Sequence, residues 1–112
     1  YQTYDLFEAM KHDGLRPRLV KVDGGMVMNN WFSQFLSDVV DIKVLRPKVQ
    51  ETTALGAAFM AGLQIGIYKS LKDISKNWHL DKKFTPKIKS KERNNLVNGW
   101  SAVIKKTLTK TI

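Results

Sequence analysis

Residues 19–30 read LVKVDGGMVMNN, and the architecture of the whole chain turns on them. Leu19, Val20 and Val22 make a short, largely β-branched run suited to a buried strand. Asp23-Gly24-Gly25 interrupts it, and Trp31, Phe32, Phe35, Leu36, Val39 and Val40 then recur at helical spacing. The pattern predicts a strand, a glycine turn and a helix running from about Met26 to Asp38. In α/β folds ligands gather outside the carboxyl end of such a strand. Two glycines without Cβ atoms let a flat or anionic ligand touch the backbone, and the helix start offers unpaired N–H groups. An Asp-Gly pair also favours ordinary tight turns, so the pattern equally admits a turn with no ligand.

Working outward, residues 1–11 predict a helix carrying Leu6, Phe7 and Met10, ended by His12-Asp13-Gly14. Tyr1 has no cap or lead-in before it, so the chain is expected to be a fragment that begins inside a helix. Residues 41–46 suggest a short strand closed by Pro47. A helix of about fifteen residues is expected from near Thr52, with Thr52 or Glu51 at its mouth and Gly66 beyond its end. Its Ala54, Gly56, Ala57, Ala58, Ala61 and Gly62 make an unusually small face. An interior glycine costs about 1 kcal/mol relative to alanine, which points to close backbone packing and a core helix. Ser70-Leu71-Lys72-Asp73 resembles a capping box ahead of a short helix. Residues 78–86 read as a loop or extended segment, and residues 91–107 return to a helical pattern.

Composition narrows the chemistry. The 112 residues include no cysteine, which excludes disulfides, thiolate metal sites and cysteine nucleophiles and agrees with a cytoplasmic location. No apolar run is long enough to span a bilayer, and the opening residues lack a signal-peptide pattern. The net charge of +9 is carried by residues 69–112, where twelve Lys/Arg face three Asp/Glu; residues 1–68 carry seven of each. A basic stretch of this kind suits nucleic acid or an anionic surface. Here Phe84 is the single aromatic between Lys82 and Arg93, and lysine outnumbers arginine, so a solvated lysine-rich surface is the expectation and no nucleic-acid or membrane partner is expected.

His12 and His79 stand in no metal-ligand spacing, and no P-loop, nucleophile elbow or H-E-x-x-H motif occurs. Asp23 and Glu51 are the carboxylates placed where a general base would be useful. Each also has an ordinary role, Asp23 bonding its own turn and Glu51 complementing a helix N-terminus. No catalytic residue and no metal ligand is assigned.

Three segments, VDGGMVMNNWFSQFLSD, RPKVQETTALGAAFMAGLQIG and FTPKIKSKERNNLVNGWSAVIKKT, resemble the C-terminal part of glycerol kinases, FGGY carbohydrate kinases of the actin-like ATPase superfamily. The resemblance covers nearly the whole chain. The R-P-x-V-x-E-T-T and G-W-x-x-A versions look more like glycerol kinases than their sugar-kinase relatives. It implies an α/β fold: part of a ribonuclease-H-like, actin-like ATPase domain, helix-rich with a few short strands. Within it lie a nucleotide-binding strand-turn-helix at 19–38, a small-residue helix at 52–65 and basic C-terminal helices at 69–112. The family transfers the γ-phosphoryl of ATP to glycerol with Mg²⁺. Carried over, Gly25 lies against the nucleotide, Gly24 is its adjacent turn glycine, and Asn29 contacts the nucleotide. The resemblance also implies that the N-terminal domain, with the first phosphate loop and the glycerol pocket, lies outside these residues, as do most of the metal site and the catalytic aspartate. The missing part, or a second copy, is then a candidate partner. Other readings are another FGGY sugar kinase or a basic nucleic-acid-binding module.

Phosphoryl transfer depends on positioning and charge stabilisation from both sides of a cleft. These 112 residues by themselves are therefore expected to turn over no ATP. Glycerol-dependent ADP release by the purified chain, above the level of a mock preparation, would refute this.

Overall fold

The computed structural model describes residues 1–108. Helix α1 (Gln2–His12) leads to strand β1 (Leu19–Lys21), a one-turn 3-10 helix (Gly25–Met28) and helix α2 (Asn30–Val40). Strand β2 (Lys43–Pro47), helices α3 (Thr52–Gln64) and α4 (Leu71–Ser75), strand β3 (Leu80–Phe84) and helix α5 (Ser90–Thr107) follow. Strand β2 is central: it runs parallel to β1, with Val20 opposite Val44, and antiparallel to β3, with Val44 opposite Phe84. The register slips at Arg46/Pro47, where proline cannot donate to the ladder.

The predicted strand-turn-helix is present with one change. The expected helix from Met26 divides into the 3-10 turn and α2, because Asn29 at φ −70°, ψ 110° breaks the helical path. Its Oδ1 accepts from the amides of Trp31 (2.9 Å) and Phe32 (3.2 Å), the N-cap role in which asparagine is strongly preferred. Those two helix-start donors are therefore satisfied within the chain. Residues 78–86 hold a paired strand, β3, which lysine-rich L-D-K-K-F does not advertise because only Phe84 of it is buried.

Helix α2 covers the sheet through an unexpected face. Trp31 is 69% exposed, stacked on Phe35 at 5.0 Å. Ser33 and Ser37 are fully buried instead, and their hydroxyls donate to the carbonyls of Val27 (2.9 Å) and Ile42 (2.8 Å). Small side chains allow the helix to approach closely, and each hydroxyl satisfies a backbone acceptor that burial would otherwise strand. Val27, Val39, Val40, Val44 and Phe84 form the core beside them, with Phe7 of α1 buried as well.

Helix α5 docks on α2 through polar contacts. Arg93 Nε donates to the Asp38 carbonyl (2.6 Å) and Nη2 pairs with Asp41 Oδ1 (2.7 Å). The buried Asp38 Oδ1 accepts from the Lys87 amide (2.6 Å) and Gln34 Nε2 (3.1 Å). At its far end Trp100 stacks on Tyr1 and donates its indole N–H to Asp5 Oδ2 (2.7 Å).

Helix α3 departs from its expected burial. Of its small face only Gly62 is buried, against the Tyr68 ring; no described residue covers Ala54, Ala57, Ala58 or Ala61. The radius of gyration, 18.0 Å, exceeds the roughly 13 Å of a compact domain of this length. Apolar side chains alone cannot seal so open a shape, and Leu6, Met26, Trp31, Ile65 and Leu71 stay in solvent. No helix among the described residues is long and apolar enough to cross a membrane.

With so few buried apolar groups, Phe84 carries a large share of the core. Phe84→Ala is expected to cost about 3–5 kcal/mol, read as a fall in unfolding free energy in urea. A loss below about 1 kcal/mol would show that Phe84 does not close the sheet.

Candidate functional site

Strand β1 delivers the chain to the glycine turn, where the backbone takes a path open to one residue type. Gly24 sits at φ +85°, ψ 168°, a region essentially reserved for glycine. Its amide donates to the Gln50 carbonyl (3.2 Å), while Thr52 Oγ1 donates to Asp23 Oδ2. The turn is thus tied at its front to the segment joining β2 to α3. Asp23 is in this way engaged as a structural acceptor. Glu51 is exposed as the N-cap of α3 and makes no side-chain capping bond.

Gly25 differs from its neighbour. Its φ is not positive, it is exposed, and a Cβ built there would meet nothing within 4 Å. Neither the backbone nor any described neighbour requires glycine at 25. What the missing side chain provides is a bare patch of backbone open to solvent. Asn29 closes the other end of the turn: its carbonyl oxygen caps α2, and its exposed amide nitrogen has no hydrogen-bond partner among the described residues. Gly24, Gly25 and Asn29 therefore bracket one 3-10 turn, with one backbone surface and one amide group left for a ligand.

The rear of the turn is held by residues that the motif reading passed over. Arg46 of β2 is 6% exposed; its Nη1 donates to the carbonyls of Val27 (2.8 Å) and Met28 (3.1 Å) and to Asn30 Oδ1 (3.2 Å). Its Nε pairs with Asp81 Oδ2 on β3 (2.7 Å). The sequence signal was the R-P-x-V-x-E-T-T run itself: its fifth and seventh positions, Gln50 and Thr52, bond Gly24 and Asp23, and its first, Arg46, bonds the 3-10 turn that follows.

A cleft of about 280 Å³ lies next to this turn, lined by Leu55, Phe59, Ile74 and Trp78 together with Lys21 and Lys48. Lys21 Nζ stands 4.0 Å from the Trp78 ring centroid. Thr52 also lines the cleft, but Gly24, Gly25 and Asn29 do not. Among the described residues no three His, Cys, Asp or Glu side chains stand together as a metal cage. His12, at the end of α1, and His79, in the loop before β3, are both exposed, and His79 also lines this cleft.

A parallel strand pair feeding a glycine turn and a capped helix defines the class: residues 1–65 match the FGGY family of carbohydrate kinases, C-terminal domain, and the chain belongs to that family. Within it the likeness is to glycerol kinases. The chain is 49% identical to glycerol kinase 1 of Pseudomonas aeruginosa over 95% of its length and 22% of that protein. It is 47% identical to the glycerol kinase of Gluconobacter oxydans, over 97% of this chain and 22% of that protein. The chain thus spans about a fifth of the length of the curated relatives it matches. The crystal structure of Plasmodium falciparum glycerol kinase with ADP superposes at a TM-score of 0.80 and 32% identity, over 98% of this chain and 22% of that one. Xylulose kinase of Lactobacillus acidophilus, at 20% identity and a TM-score of 0.67 over 81% of this chain and 18% of that one, shares the fold.

The two glycines predict different mutant behaviour. Gly24→Ala is expected to lose about 1–3 kcal/mol of stability from the backbone path alone, whereas Gly25→Ala should stay within about 0.5 kcal/mol. Urea titrations of both variants check this, and an equal loss at the two positions would contradict the geometry.

Proposed function

We propose that this chain is the nucleotide-binding segment of a glycerol kinase and that Gly25 and Asn29 contact the adenosine part of ATP or ADP. The observation that carries the reading is Gly25, a glycine that the chain's own packing does not require and that leaves a flat backbone patch in solvent. The likeness to a glycerol kinase crystallised with ADP supports it. In this reading Gly24 bends the backbone so that Gly25 faces outward, and the planar base or ribose lies where a Cβ would otherwise stand. The Asn29 amide nitrogen donates to the nucleotide while its carbonyl oxygen keeps capping α2. One side chain thereby couples the position of the ligand to the start of the helix.

The reaction assigned to the whole enzyme is transfer of the γ-phosphoryl of ATP to glycerol, in the cytoplasm. This segment contributes nucleotide binding and orientation, and the glycerol pocket and general base lie elsewhere in the longer protein. Its described residues do not fit a metal cage of their own. Mg²⁺ bound to nucleotide is commonly held by phosphate oxygens with one or two carboxylates.

Titrating the isotopically labelled chain with ADP·Mg²⁺ and following its backbone amides tests the reading. Saturable shifts centred on Gly24, Gly25 and Asn29 are expected. Gly25→Ala should weaken binding by obstruction, and Asn29→Asp should weaken it up to about tenfold, the worth of one lost donor. The aspartate keeps the cap acceptor, so helix stability should hold. Unchanged spectra with ADP, or full affinity in both variants, would overturn the assignment.

A further inference from the structure

We infer that Arg46 is a positioning residue for the nucleotide: it sets the geometry of the Gly25–Met28 turn from behind without touching the ligand. This deepens the reading of the turn as an adenosine site and rests on it.

A one-turn 3-10 helix ends in carbonyls that its own ladder does not satisfy. Here those of Val27 and Met28 point inward to Arg46 Nη1, at 2.8 and 3.1 Å, and Ser33 Oγ adds a second donor to Val27 at 2.9 Å. A charged donor makes these bonds stronger than neutral ones, and burial at 6% exposure keeps water from replacing it. The guanidinium is fixed in turn by Asp81 across the sheet, at 2.7 Å, and lies over Phe84, its centre 5.6 Å from the ring centroid. On the solvent side the turn has much less to hold it. Met26 and Met28 are exposed, Gly25 meets no described side chain, and Gly24 is held by one amide hydrogen bond to the Gln50 carbonyl. Val27 is the one buried side chain of the turn. The backbone patch at Gly25 therefore keeps its place because the carbonyls two and three residues later are bolted to the central strand. Misplacement by a fraction of a hydrogen-bond length would leave Gly25 and Asn29 out of joint as a pair.

Lysine carries the same charge as arginine but presents a single compact donor group, so Arg46→Lys cannot serve Asp81 and both carbonyls in the same planar arrangement. The experiment compares wild type, Arg46→Lys and a stability control, Phe7→Ala, which empties a buried site on α1 away from the turn. Two quantities are read on each labelled chain: amide exchange at Val27 and Asn29, whose N–H groups donate to Gly24 and Met26 within the turn, and the affinity for ADP·Mg²⁺. Arg46→Lys is expected to lose protection selectively at those two amides and to bind ADP about tenfold more weakly, equivalent to about 1.4 kcal/mol. Phe7→Ala should lose protection evenly over the chain and keep its affinity within about twofold.

Unaltered turn protection and ADP affinity in folded Arg46→Lys would overturn the inference, as would an equal affinity loss in Phe7→Ala. If Arg46→Lys does not fold, Ser33→Ala decides. It removes the other donor to Val27, so a smaller loss at the same two amides with weaker ADP binding supports the clamp, and no change at either refutes it. The two readings fail separately. Wild type that ignores ADP while Arg46→Lys loses turn protection sinks the nucleotide assignment but keeps Arg46 as the clamp of the turn. Wild type that binds ADP with full affinity in Arg46→Lys sinks the clamp alone.

Discussion

A guanidinium buried beneath a backbone turn is the constraint on which this structure depends. Removing Arg46 from water is costly, and the cost is met because its nitrogens meet acceptors: a carboxylate from β3, two carbonyls from the 3-10 turn and an amide oxygen at the start of α2. Three stretches distant in sequence, residues 27–30, Arg46 and Asp81, are thereby joined at one point. Breaking that point would take the guanidinium from the Met28 carbonyl and leave that of Val27 with Ser33 alone, a heavier penalty than the loss of an exposed pair such as Lys76–Asp73.

The same economy of polar contacts runs through the rest of the fold. Seven apolar side chains, Pro47 included, are buried among the described residues, few for a chain of this size. Ser33, Ser37 and Asp38 occupy positions on α2 where a self-contained domain would place leucine or valine, and each satisfies backbone groups. Helix α3 turns an alanine-rich face to solvent, and β1 keeps one edge unpaired in the three-stranded sheet. Faces and edges of this kind are association hazards in a free chain. The chain spans about a fifth of the length of the curated relatives it matches.

In the proposed function two adjacent glycines divide the labour. Gly24 is required by its backbone angles and would be required whether or not a ligand existed. Gly25 is required by nothing inside the described chain, and that is what makes it informative about a ligand. Asn29 unites the two needs, with one end of its amide spent on the helix and the other free.

Much of this was legible in the residues. Alternation, glycine punctuation and capping chemistry act over a few positions, so β1, the turn, α1, α3, α4 with its Ser70 cap and α5 all stand close to where local pattern puts them. The motifs also carried the family. Tertiary structure decided what depends on partners distant in the chain. The L-D-K-K-F segment is a strand because β2 offers it a ladder, not because of its own propensity. Trp31 stays in solvent and two serines go inside, because proximity to the sheet favours small side chains with a donor. Arg46 bonds residues 16 to 19 positions upstream and Gln50 bonds Gly24 further back still, relations no periodicity encodes. Local sequence sets which elements form; the geometry between them sets which side chains the site needs.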